Sequence, residues 1–130
     1  MILIDTSVWI DHLARPIPHL LDLIESSEYP PILTHPFVIG ELACATFPTR
    51  TETLAGLRRL RQAVRASDQD VLTLIERHAL AGRGIGLVDV HLLASTLLTP
   101  ETQLWTHDKR LERAAGDLSI AYRPTAAEEG

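Results

Sequence analysis

Short apolar runs alternate along this chain with stretches of helical periodicity, and that alternation leaves few folds open to it. Ile2-Leu3-Ile4 reads as a central strand, β-branched at two of its three positions. Asp5-Thr6-Ser7 offers caps for a helix carrying Val8, Trp9, Ile10 and Leu13. Pro16 and Pro18 end it, and Leu20, Leu21, Leu23 and Ile24 supply the apolar face of the next helix, closed by Tyr29-Pro30-Pro31. Ile32-Leu33-Thr34 is a second strand. Pro36 suits a first helical turn, and the helix runs on from Phe37 to Thr46. Leu54, Leu57, Leu60 and Val64 form a stripe that predicts a helix over 49–64. Ser67-Asp68-Gln69-Asp70 has the form of a capping box with Asp for Glu, starting a helix through Leu80. Gly82, Gly84 and Gly86 lead flexibly to Asp89 and a helix that turns Val90, Leu93, Ala94 and Leu97 inward. Gln103 to Thr106 is a third strand, Asp108 to Ala115 a short helix, and Leu118 to Tyr122 a last strand.

Strands separated by helices imply right-handed crossovers and a parallel sheet of about four or five strands covered on both faces, an α/β architecture. At 130 residues this is one domain, expected over 1–124, with 125–130 a loose tail lacking periodicity. A hydrophobic fraction of 45% supports a core without disulfides or zinc. The single cysteine, Cys44, reads as a small buried helix residue, consistent with a reducing, cytoplasmic location. The N-terminal run has no basic flank or cleavage site, and no segment has the length of a membrane span. A net charge of −5 argues against holding nucleic acid by bulk electrostatics.

Four acids lie against the apolar runs: Asp5 after the first strand, Glu41 within Val38-Ile39-Gly40-Glu41-Leu42, Asp89 after Gly86-Leu87-Val88, and Asp108 after Leu104-Trp105-Thr106-His107. Burying a carboxylate is costly unless something compensates it, and four such costs point to one shared site for a divalent cation. In a parallel sheet, strand C-terminal ends and the following helix N-termini gather along one edge, where these residues can converge. All-oxygen ligation suits Mg²⁺ or Mn²⁺. Such a cation activates water and neutralises phosphate charge, the requirements of phosphodiester hydrolysis. It also reconciles a net negative protein with a polyanionic substrate.

These residues carry a family resemblance. Ile2-Leu3-Ile4-Asp5-Thr6-Ser7-Val8-Trp9-Ile10-Asp11 resembles the opening of PIN-domain ribonucleases of the VapC toxin type. Glu41-Leu42, Asp89-Val90-His91-Leu92-Leu93-Ala94 and Thr106-His107-Asp108 resemble their second, third and fourth acidic motifs, in order, over residues 2 to about 122. The resemblance implies a PIN-like three-layer α/β/α sandwich. It also implies Asp5, Asp89 and Asp108 as ligands of Mg²⁺ or Mn²⁺, with Glu41 completing the pocket directly or through water and Thr106 in support. It further implies an endoribonuclease that cuts cellular RNA and arrests translation, a homodimer, and a VapB-type antitoxin inserting a basic residue among the acids. Arg110 stands where some members have a further acid, and His91 replaces a small or aliphatic residue.

Plainer roles compete at each position. Asp5 alone reads as an N-cap, and Asp89 and Asp108 as helix-dipole partners; Glu41, in an apolar helix segment, has no such role and tips the balance. No histidine pair has metal-ligand spacing. His12, His19 and His78 read as solvated, His35 as a loop residue, and His91 and His107 as neighbours of the acids. Arg58, Arg59, Arg61 and Arg65 form a basic helical stripe read as a solvated face. Lys109, Arg110 and Arg113 adjoin the site and could meet phosphate, with compensation of a helix C-terminus as the alternative. Trp9 reads as core or partner surface. Three rival functions are an acid-dependent phosphatase, a phospho-receiver domain and a non-catalytic PIN-like binding module. The first wants an Asp where Ser7 stands, and the second wants an acid near Thr34.

Overall fold

A computed structural model describes residues 1–125 and Glu128. Its centre is the first strand, β1 (Ile2–Ile4), which pairs in parallel with β2 (Ile32–Thr34) on one side and β4 (Gln103–Trp105) on the other. The edge strand β3 (Arg61–Gln62) pairs with β2, giving the all-parallel order β3-β2-β1-β4. Helices α1 (Thr6–Ala14), α2 (Pro18–Glu25), α3 (Pro36–Ala43), α4 (Arg50–Arg59), α5 (Asp68–Arg77), α6 (Leu87–Leu98) and α7 (Lys109–Asp117) complete a three-layer α/β/α sandwich. Strands buried on both faces must be apolar throughout, and Leu3, Ile4, Leu33 and Leu104 are each 0–1% exposed. Among the described residues no helix is long and apolar enough to cross a membrane.

The chain leaves β1 towards β2 and later returns to β1's other side as β4. The C-terminal ends of β1 and β4 therefore flank a topological switch point, where side chains of open α/β sheets form ligand clefts. Asp5 donates its backbone N–H to Trp105 O at 2.9 Å, carrying the β1–β4 pairing past the strand end and fixing the Asp5 backbone.

Three elements differ from the sequence reading. The helix predicted over 49–64 stops at Arg59: Leu60 turns to extended backbone, and Arg61–Gln62 pair with Leu33 and Thr34. Leu54 and Leu57 face inward as the stripe required. Beyond them, sheet pairing overrides helical spacing, as tertiary context does for short segments. The predicted strand over 118–122 reduces to one bridge, Leu104 to Ala121, because Leu118 and Ser119 (φ 61°) form the turn after α7. The helix expected to Thr46 ends at Ala43, and Cys44 is its exposed cap rather than a buried residue. The tail expectation for 125–130 falls largely outside the described residues.

Candidate active site

Asp5 occupies the N-cap position of α1 and is 5% exposed, yet its side chain makes no capping bond. Its Oδ2 instead accepts hydrogen bonds from Ser7 Oγ at 2.6 Å and from Thr106 Oγ1 at 2.7 Å. The structural role that competes for a strand-ending Asp is thus not the one this carboxylate performs. Each hydroxyl has one proton, and both protons go to Asp5. Their acceptor sides are used as well: Ser7 Oγ takes the His107 N–H at 3.0 Å and Thr106 Oγ1 takes the Asp108 N–H at 3.1 Å. The loop after β4 is thereby fastened to the loop after β1.

Glu41 lies on the exposed side of α3, whose Val38 and Leu42 are buried, so burial does not account for it as the apolar setting implied. Its position is set by Thr6, which donates to Glu41 Oε1 at 2.6 Å. Asp89 is half-buried in the first turn of α6 and accepts the Gly86 N–H at 3.1 Å, so it does serve its own helix terminus. Asp108 is exposed and caps α7 through Oδ1, which accepts from Arg110 N at 2.9 Å and Leu111 N at 3.1 Å.

The four carboxylates share one electrostatic neighbourhood. Burial raises the pKa of Asp89, the Gly86 N–H opposes that, and the charges of Asp5, Asp108 and Glu41 raise it further. In all four acids one oxygen is held and the other accepts no hydrogen bond from the described residues. Among those residues, no three His, Cys, Asp or Glu side chains are placed to ligate one ion together. An all-oxygen set with unclaimed oxygens fits a hard cation that keeps much of its water and takes one or two carboxylates directly. It does not fit a closed zinc site.

Thr6 and Ser7, caps by sequence, in the structure hold motif acids, Glu41 and Asp5. Their signal was available: two hydroxyls directly follow an acid at a strand end. Other assignments change too. His35 does lie in the connection before Pro36 but is buried: it caps α3 by accepting Phe37 N at 2.9 Å, and burial, then His91 and Arg65, lower its pKa to about 4. His91 is buried with its ring edge-on to Phe37. His12 accepts Ile17 N, with its pKa lowered by burial, and His19 stacks on Tyr122, so neither is simply solvated. His107 pairs with Asp11. The basic stripe dissolves, since Arg58 and Arg59 end α4, Arg61 is on β3 and Arg65 follows it. Lys109 and Arg110 open α7, the end where a cation opposes the helix dipole, so C-terminal charge compensation does not apply to them. The Arg110 side chain lies over Gly84, whose φ of 77° and contact with that guanidinium leave no room for a Cβ.

The raised pKa of Asp89 has a consequence for stability. Below the ordinary Asp range both folded and unfolded states hold the proton, and the group contributes nothing. As pH rises from that range to the raised folded value, the unfolded state releases its proton first, so stability falls, and above it the loss is complete. Asp89→Asn is therefore expected to flatten this fall. Thermal midpoints taken in chelator, from mildly acidic to neutral buffer, check it; an unchanged slope in the variant contradicts it.

Comparison with known proteins agrees with this geometry. The PIN domain family model matches residues 2–117. The chain is similar to ribonuclease VapC32 of Mycobacterium tuberculosis, from strains CDC 1551 / Oshkosh and ATCC 25618 / H37Rv. Each is 41% identical over 121 residues, covering 93% of this chain and 95% of the relative. No solved structure matches the chain.

Proposed function

The chain belongs to the PIN-domain family, and on that premise we propose that it is an endoribonuclease dependent on Mg²⁺ or Mn²⁺, the toxin of a VapBC-type pair. Its substrates are cellular RNAs, and their cleavage arrests translation. The observation that carries this reading is Asp5, a nearly buried carboxylate excused from capping and held by Ser7 and Thr106, with an oxygen left over beside three further acids.

One or two of Asp5, Asp89 and Asp108 would hold the cation directly, and the rest of the four acids, Glu41 included, would hold it through its waters. A bound Mg²⁺ or Mn²⁺ supplies a water of lowered pKa and a counter-charge for the phosphate. Residues of the chain provide fixity. Ser7 and Thr106 tie Asp5 and the Asp108 loop into one unit, and Thr6 holds Glu41. The phosphatase alternative needs an acid two residues beyond Asp5, and Ser7 there is spent on orienting Asp5.

The antitoxin belongs to the same reading. An apolar groove of about 240 Å³, lined by Trp9, Leu13, Ile24, Leu57 and Leu60, begins one turn of α1 beyond the acids. Trp9 Nε1 is buried there without a hydrogen-bond partner among the described residues. An antitoxin segment filling this groove supplies apolar contact, while a basic side chain elsewhere in the antitoxin engages the acids. Exposed Leu72 of α5 and Leu97 and Leu98 of α6 offer apolar surface for a homodimer.

The direct test is cleavage of RNA by the purified chain in Mg²⁺, in Mn²⁺ and in chelator. Cleavage is expected in either metal, with none in chelator. The thermal midpoint is expected to rise with metal, because a cation relieves repulsion among the acids. Intact RNA in both metals would leave a non-catalytic binding module as the better reading.

A further inference from the structure

Beside the acids, and sharing Thr106 with them, lies a cavity of about 650 Å³, within the size range of small-ligand pockets. It is lined by the rings of His107 and Tyr122, backed by the buried Trp105, and by Lys109, Arg113 and Arg123. Three cations in one cavity are unexpected in a chain of net charge −5. The wall's carboxylate, Glu112, lies 3.6 Å from Arg123. Lys109 and Arg113 form no ion pair or side-chain hydrogen bond among the described residues.

Helix stability does not explain Lys109, which stands in the first turn of α7 against the dipole. Arg113 follows four residues later on the same face, so the two Cβ atoms are about 5–6 Å apart and both side chains can reach a single phosphate. The aromatic wall is firm: Tyr122 stacks on His19 at 6.0 Å with 6° between planes, and its centroid lies 5.4 Å from that of Trp105. Cations and aromatic rings lining one groove are the combination that binds single-stranded nucleic acid.

We propose that this cavity is the subsite for the RNA nucleotide next to the scissile phosphate. Lys109 and Arg113 hold that nucleotide's phosphate, and its base lies against the accessible rings of Tyr122 and His107. The assignment rests on the nuclease reading for the word scissile, while the binding itself does not need it. Thr106, which lines the cavity and holds Asp5, marks where this subsite meets the acids.

The test is binding of a short, mixed-sequence, single-stranded RNA in chelator, over a series of salt concentrations. Lys109→Ala/Arg113→Ala is expected to weaken binding about tenfold or more and to reduce the salt slope by about 1.4, at roughly 0.7 per lost cation on a single strand. Both residues are exposed, so folding should persist, and Lys109→Gln/Arg113→Gln repeats the measurement with longer polar side chains. Lys109 is the chain's single lysine, so protection of its amine from acylation by bound RNA reports the site directly. In Mg²⁺ the double variant should raise KM while leaving kcat near wild type. Wild-type affinity and slope in both double variants, an unprotected Lys109, or no RNA binding by the wild type would each overturn the proposal. RNA that is bound through Lys109 but never cut would remove the nuclease reading and leave the binding site standing.

Discussion

Asp5→Asn should yield a folded protein that cleaves RNA at least about 100-fold more slowly than wild type in saturating Mg²⁺, a loss near 2.7 kcal/mol of barrier. Asparagine keeps a carbonyl oxygen that can accept both the Ser7 and Thr106 hydroxyl protons, so the clasp between the two loops survives. The unclaimed Asp5 oxygen is replaced by an amide nitrogen, which cannot bind a cation. Burying a neutral amide at 5% exposure is also easier than burying a carboxylate, so the thermal midpoint in chelator should not fall. Thr106→Val provides the scale. It removes only the group that orients Asp5 and takes the Asp108 N–H, and losing such an orienting partner typically costs about 10–100-fold. The expected order of rates is wild type, then Thr106→Val, then Asp5→Asn. Wild-type kcat in Asp5→Asn would refute the metal-site reading outright.

The same residues show what a sequence can and cannot disclose here. Ile2-Leu3-Ile4 followed by Asp5 was legible because a doubly covered parallel strand must be apolar throughout, and a carboxylate at its end is conspicuous. Asp108 was legible from the short run Leu104-Trp105-Thr106 for the same reason. Strand β3 was not, because Arg61 and Gln62 are polar, exposed and only two residues long, and their strand character comes from Leu33 and Thr34, nearly thirty residues earlier. The Leu54–Val64 spacing even pointed the other way. Glu41 was found for a reason the fold does not support: it is solvent-facing, and the Thr6 hydroxyl is what places it. The Ser7 bond to Asp5 is local and its signal stood in the sequence, whereas the clasp Ser7 makes with Thr106 and His107 joins residues about a hundred apart, beyond local reading.

An antitoxin that neutralises this chain is expected to place an Arg or Lys among Asp5, Glu41, Asp89 and Asp108. Changing that residue to Ala should weaken the complex by about 2–5 kcal/mol, roughly 30- to several-thousand-fold in Kd. The reason lies in the unclaimed oxygens. Among the described residues each of the four carboxylates retains one acceptor without a partner, and burial, then the charges of the other three, raise the pKa of Asp89, so a cation is favoured there. An arginine is the better occupant, because its planar fork pairs bidentately with carboxylates and keeps its charge when buried. The apolar groove along Trp9, Leu13 and Leu57 adds affinity without contributing to the charge term, so the two can be separated. Leu57→Ala should weaken binding of the antitoxin and of its Ala variant alike, whereas Asp5→Asn should weaken only the unmodified antitoxin. Titration calorimetry on the six combinations, three forms of the chain against two of the antitoxin, measures the coupling. If the antitoxin's Ala variant binds as tightly as the original and still blocks cleavage, inhibition works by occlusion elsewhere on the surface, and the acids play no part in neutralisation.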